Sequence, residues 1–95
     1  MIKMIGNDVW RSGEKIGWVE GDYVHDKEGN RLGYFQDHAI FDVDGHKIAY
    51  VGGGHLISQD ADSEARVSLD DIDKVVKDCI LPEIAKCAIY VLLGS

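Results

Sequence analysis

The first fifty residues repeat themselves. Read from a turn glycine, the chain runs Gly13-Glu14-Lys15-Ile16-Gly17-Trp18-Val19, then Gly29-Asn30-Arg31-Leu32-Gly33-Tyr34-Phe35, then Gly45-His46-Lys47-Ile48-Ala49-Tyr50-Val51, a return every 16 residues. The order is turn glycine, polar, base, aliphatic, small, aromatic, apolar. A period this short spans about one β-hairpin, so the chain reads as hairpins laid side by side. The repeat fixes architecture and names no reaction.

The first arm of each hairpin carries an aliphatic residue followed by a larger side chain: Val9-Trp10, Val24-His25, Ile40-Phe41. Asp26-Lys27-Glu28-Gly29 and Asp42-Val43-Asp44-Gly45 read as bulged turns, with Asp bonding the backbone ahead and Gly taking φ > 0. Along the second arm, strict alternation places Ile16 with Trp18, Leu32 with Tyr34 and Ile48 with Tyr50 on one face. Gly17, Gly33 and Ala49 fall between large neighbours. A small residue mid-strand weakens the strand unless something must come close. Three of them in equivalent places point to equivalent close approaches about a pseudo-axis. A fourth unit begins at Gly54-His55-Leu56-Ile57, and its turn is replaced by a longer, mobile loop from Gln59 to Glu64 before Ala65-Arg66-Val67. Met1 to Ile5 reads as an edge strand or a plug.

Ser68 signals a helix N-cap, with Asp70 and Asp71 in the first turn. Leu69, Ile72, Val75, Val76 and Cys79 then recur as an amphipathic stripe. Pro82 ends or kinks this helix. Ile84 to Leu93 is apolar almost all round; it reads as helix, with a strand over Ala88 to Leu93 as the alternative. The expected fold is α+β. It is a single domain over 1–95, with repeated short antiparallel β-hairpins around a pseudo-four-fold axis (6–67) and a C-terminal helical segment (68–93) kinked at Pro82.

Charge limits the partners. The formal net charge of -7 argues against nucleic acid, whose binding is driven by Lys and Arg. The apolar tail is too short to span a bilayer and is interrupted by Lys86. It carries more apolar surface than so small a domain can cover, which predicts a homodimer through the C-terminal segment. Cys79 and Cys87, with no signal peptide read at the start, suggest reduced thiols and a cytoplasmic setting.

With the units aligned, the Gly-x-Lys/Arg-Ile/Leu-Gly-Tyr/Trp-Val/Phe pattern resembles the hairpins of small bacterial four-fold β-flower proteins, from about Gly6 to Val67. The resemblance implies hairpins about a pseudo-four-fold axis followed by a helix, and no activity. The pattern is similar, less specifically, to PRC-barrel domains, and small proteins of this kind also occur as products of mobile gene cassettes.

The candidate ligand residues are Trp10, Asp22, Tyr23, His38 and His55. The aromatics offer a stacking surface, and Asp22, His38 and His55 lie at hairpin junctions that would share a pocket if those ends converge. His25 occupies the place of Trp10 and Phe41 and reads as packing. No His-x-x-x-His spacing, nucleophile elbow or phosphate loop is present, so no catalytic residue, metal or cofactor is expected. The leading expectation is a non-enzymatic module for a small ligand or peptide. The alternative is an acidic interaction factor, immunity- or antitoxin-like, that meets a basic protein partner. An enzyme using His38 or His55 ranks below both.

Overall fold

The structure is a computed structural model that describes residues 1–59 and 64–94. Ten strands form one sheet: β1 (Ile2–Ile5), β2 (Asp8–Arg11), β3 (Glu14–Glu20), β4 (Tyr23–Asp26), β5 (Arg31–Gln36), β6 (Ala39–Asp42), β7 (Lys47–Gly52), β8 (His55–Gln59), β9 (Glu64–Ser68) and the two-residue β10 (Val76–Lys77). The order is β10-β1-β2-β3-β4-β5-β6-β7-β8-β9, antiparallel throughout except for the parallel β1–β10 pair. Two helices complete it, α1 (Leu69–Val75) and α2 (Glu83–Leu93).

Four units follow one another: β2–β3, β4–β5, β6–β7 and β8–β9. The same hydrogen bond links each junction loop to the arm beyond it. Val19 N–H donates to the Asn7 carbonyl, Phe35 to Asp22, Val51 to His38 and Leu69 to Gly54, at 2.9, 2.9, 2.8 and 3.0 Å. The central aliphatic residues Val9, Val24, Ile40 and Leu56 are each 0% exposed. The four-fold repetition read from three copies is therefore complete, and the degenerate fourth unit is a true hairpin. Its loop, Asp60 to Ser63, lies outside the described residues.

Strict alternation fails in the second arms, for one reason repeated three times. Val9 faces Gly17 but Trp10 faces Lys15, so Ile16 is an extra residue. Leu32 and Ile48 are extra in the same way in the next two units. Each is a β-bulge, in which two residues oppose one. The bulge turns Ile16 and Ile48 inward, where both pack on the core. It also puts Lys15 on the face of Trp18, three residues on, with its Nζ 5.2 Å from the ring centroid.

The small residues serve the same geometry. A Cβ at Gly17 would collide with the carbonyl oxygen of His25 and sit 3.0 Å from Leu93 Cδ1; at Gly33 it would collide with the Phe41 carbonyl and sit 3.0 Å from Leu92 Cδ1. Equivalent glycines thus meet equivalent neighbours. The close approach is to the first arm of the next unit, β4 or β6, and to α2, which crosses the inner face of β3, β4, β5 and β6. Arg11 Nη2 donates to the Leu93 carbonyl at 2.9 Å and holds the C-terminus of α2, where a cation suits the helix dipole.

The C-terminal segment differs from a single kinked helix. Ser68 caps α1 as expected, its hydroxyl accepting from Asp71 N–H at 3.1 Å. The helix stops at Val75, because Val76 turns extended (φ -105°, ψ 107°) and pairs with Ile2. Val76 is 2% exposed, so extending β1's sheet buries it and gives the backbone of β1 a partner. Pro82 therefore stands at the N-cap of a separate helix and kinks nothing. Met1 to Ile5 is neither plug nor edge: β1 has a neighbour on both sides. α2 tolerates apolar residues on most sides because the chain's own sheet and α1 surround much of it; Ala85, Cys87, Ala88 and Ile89 are buried. No helix among the described residues is long and apolar enough to cross a membrane.

Candidate functional site

The outer face of the sheet carries a ladder of rings and cations. Trp18 stacks on His25 across β3–β4, with centroids 5.1 Å apart and planes 6° from parallel. Tyr34 stacks on Phe41 across β5–β6 at 4.9 Å and 11°. Tyr23 leans on Tyr34 at 5.7 Å and 52°. The bases of the repeat lie between the stacks: Lys15 over Trp18, Arg31 4.0 Å from the Tyr23 centroid and Lys47 5.6 Å from the Tyr50 centroid. Cross-strand pairing produces this order, since opposed positions stand about 5 Å apart, near the ring-stacking distance. The chain thus already places its own cations on these faces, where an external cation would sit.

Among the described residues, the ladder opens in the third unit. A pocket of about 500 Å³ lies in the third unit, lined by Asp37, His38, Ala39, Phe41, Lys47 and Tyr50 among others. The space is shallow and largely open to solvent, so it offers a ligand one face to lie against. Phe41 and Tyr50 give apolar walls; Asp37 and His38 stand at the rim on the junction loop, both exposed. A smaller hollow of about 240 Å³ adjoins it through Asp37, His38 and Val51 and reaches Pro82, Glu83 and Ile84 at the start of α2.

The rim shares its backbone with the other junction loops but not its residue. The first residue of each junction loop has a positive φ: Gly6 (59°), Gly21 (59°), Asp37 (54°) and Gly53 (59°). Three loops use glycine, for which this conformation costs little. The third uses aspartate, which tolerates it at a cost of about 1 kcal/mol.

The five sequence candidates divide. His38 lines the pocket. Tyr23 belongs to the ladder one unit earlier. Trp10 lies at the start of the ladder face with its Nε1 buried and, among the described residues, without a hydrogen-bond partner. Asp22 is exposed on its own loop, and His55 turns Nδ1 back to the Gly53 carbonyl at 2.9 Å. The pocket gathers neither Asp22 nor His55 beside His38. Asp37, Ala39 and Lys47 are not among the sequence candidates, and Phe41 and Tyr50 enter there only as members of the aromatic set that could stack. The signal was present in the alignment of the units: Asp37 stands where the others have glycine, and Ala39 where they have Asp8, Tyr23 and His55.

Two other clusters are explained by structure. Asp42, Asp44 and His46 bring three possible ligand atoms within 4.8 Å of one another. However, Asp42 Oδ1 already accepts from the N–H groups of Asp44 and His46, at 2.9 and 3.0 Å. Asp26 does the same for Glu28 and Asn30, both at 2.9 Å, with no histidine. The group is a turn cap, and its backbone bonds hold both carboxyls below the usual carboxylate range. Cys87 is fully buried, and burial pushes its thiol up to about 11. It is therefore protonated and unreactive at neutral pH.

Comparison with curated proteins and with solved structures finds no match. The family model described as the 4-fold beta flower protein matches residues 6–68, from the first junction loop through the close of the fourth unit. With its four linked hairpins in one sheet and its helices after them, the chain belongs to the four-fold β-flower family.

Proposed function

We propose that this protein is a non-enzymatic binding module whose ligand site is the pocket of the third unit. The observation that carries this reading is the break in the ladder: about 500 Å³ walled by Phe41 and Tyr50, with Asp37, His38 and Lys47 at hand. Apolar walls with a few convergent polar groups are what a small-molecule site needs. Of the two histidines that a catalytic reading would pair, His38 stands on the third junction loop, and His55 opens β8 and is bonded back to the Gly53 carbonyl.

The test is a thermal-shift screen over small molecules, repeated on His38→Ala and Tyr50→Ala. A ligand at 100 times its Kd stabilises the folded state by about 2.7 kcal/mol, or roughly 10 °C or more in a domain of this size. Compounds should shift the parent and lose their effect in the variants. Hits insensitive to both substitutions, or no hits across a broad library, would count against the pocket.

Self-association is a separate proposal. Tyr90, Val91 and Leu92 on α2 remain only half-buried, so a second copy docking here would cover them. Light scattering across a concentration series reads the outcome directly, and a monomer at every concentration refutes it.

A further inference from the structure

The pocket has a counterpart one unit earlier that is already filled. On the ladder face, the residue just before each buried aliphatic is Asp8, Tyr23, Ala39 and His55 in turn. In the first three units it pairs across the strands with Trp18, Tyr34 and Tyr50. In unit one, Asp8 Oδ1 lies 3.2 Å from Lys15 Nζ. In unit two, the Tyr23 ring lies under the Arg31 guanidinium at 4.0 Å and leans on Tyr34 at 5.7 Å. Each base thus finds a partner at this position, first a carboxylate and then a ring. In unit three the position is Ala39, and its methyl offers Lys47 neither. Lys47 reaches over Tyr50 at 5.6 Å much as Lys15 reaches over Trp18 at 5.2 Å, but without the second contact that Asp8 gives Lys15.

Resting on the binding reading above, we propose that the pocket takes a planar aromatic ring, free or at the end of a peptide side chain. The ring occupies the place that Tyr23 holds in unit two. Lys47 lies over one face of it, as Arg31 lies over Tyr23, and Tyr50 meets it as Tyr34 meets Tyr23. Asp37 and His38 at the rim face polar substituents. A neutral or acidic ring is favoured over a cationic one, because the cation of the cation–π pair comes from the protein. Tyr23 and Arg31 are the chain's own demonstration of the complex.

The experiment is isothermal titration of the full chain with phenylacetate, using cyclohexylacetate as the non-aromatic acid of similar size. The parent should bind the aromatic acid about tenfold more tightly or better, since a cyclohexyl ring has no quadrupole to meet Lys47. Ala39→Tyr should keep the circular dichroism of the parent and lose binding, because the new side chain supplies the ring in cis. Lys47→Met, on an exposed position, should weaken both acids, which share a carboxylate, and weaken the aromatic acid more, so that the preference for it shrinks toward one. Equal affinity for the two acids, with both lost in Ala39→Tyr, overturns the ring proposal while leaving the pocket as a binding site. Binding that survives Ala39→Tyr and ignores Lys47→Met overturns both. If neither acid binds at about 1 mM, the ring proposal fails, and the library screen on the pocket variants then decides the binding reading separately.

Discussion

Gly33→Ala tests the packing on which the fold depends. The φ of Gly33 is not positive, so glycine is there for space and not for conformation. An added methyl would collide with the Phe41 carbonyl oxygen and meet the Leu92 Cδ1 and Cδ2 atoms at 3.0 and 3.2 Å. Leu92 can rotate away. The carbonyl cannot move without pulling β6 out of register beside the bulge. Overpacking a tight site costs about 1–3 kcal/mol, and the stiffer unfolded chain returns about 0.4–1 kcal/mol. The expected net loss is about 1–2 kcal/mol, or roughly 5–15 °C in Tm for a domain of this length. Urea unfolding followed by the fluorescence of Trp10 and Trp18 reads it, as a lower midpoint with an unchanged slope. Adding Leu92→Ala separates the two obstacles. A double-mutant cycle should show partial relief, with the carbonyl's share remaining. Ala49 carries a methyl at the third copy of this position and is fully buried, so the cost must arise from the neighbours particular to Gly33. If Gly33→Ala unfolds within about 0.5 kcal/mol of the parent, the contact of α2 with the bulged strand is not what selects glycine here.

Three further outcomes are expected. His25→Phe should stabilise the fold by about 1 kcal/mol, because it keeps a ring against Trp18 and removes a buried Nδ1 that has no partner among the described residues; a loss of stability in urea would show that the imidazole has a partner. Asp26 and Asp42 have carboxyls lowered by bonds from the N–H groups of Asn30 and His46, so their stabilisation is present above the ordinary 3.8 and is lost as pH falls through the lowered folded values. An Asp26→Asn, Asp42→Asn double variant should therefore show a smaller drop in urea midpoint between pH 5 and pH 2.5 than the parent, and equal drops would refute the turn-cap account. Cys87, raised from 9.0 to about 11, favours the folded state below pH 9 and loses that advantage as pH rises toward 11; native protein at pH 8 should leave Cys87 unlabelled by iodoacetamide in peptide mass mapping, and rapid labelling there would contradict its burial.

The hairpins were legible because their turn chemistry and apolar spacing are local. Asp26 and Asp42 opened the turns that the alignment assigned to them, and Ser68 capped the helix it announced. The face of each second arm was misread because a bulge is a two-strand event. Ile16 looks like any alternating residue until Trp10 is found opposite Lys15. The spacing of Val76 fits the helical stripe; only the distant edge of β1 makes extended backbone the better choice. The site was hidden for a related reason. Rings, histidines and carboxylates are side chains that can be read along the chain, whereas the pocket comes from a missing side chain, at Ala39.

The inner and outer faces of the repeat obey different constraints. Inward, Val9, Val24, Ile40 and Leu56 are all aliphatic and all fully buried, because a change of one methylene there is felt through the core. Outward, the positions on either side vary from carboxylate to phenol to methyl to imidazole, and from indole to imidazole to phenyl to sec-butyl. Such changes are tolerated because the ladder contributes less than the core. Departures that cost stability are therefore informative where they coincide. Unit three holds two within three residues. Asp37 accepts the left-handed backbone that the other loops give to glycine, and Ala39 gives up the side-chain contact that Asp8 and Tyr23 make with their bases. Either alone would be drift. Together they border one pocket. Reverting them separately distinguishes the cases: Asp37→Gly should raise stability by about 1 kcal/mol and weaken any ligand that engages the rim. If it stabilises the fold and leaves the affinity of every pocket ligand unchanged, the strained aspartate has no part in binding.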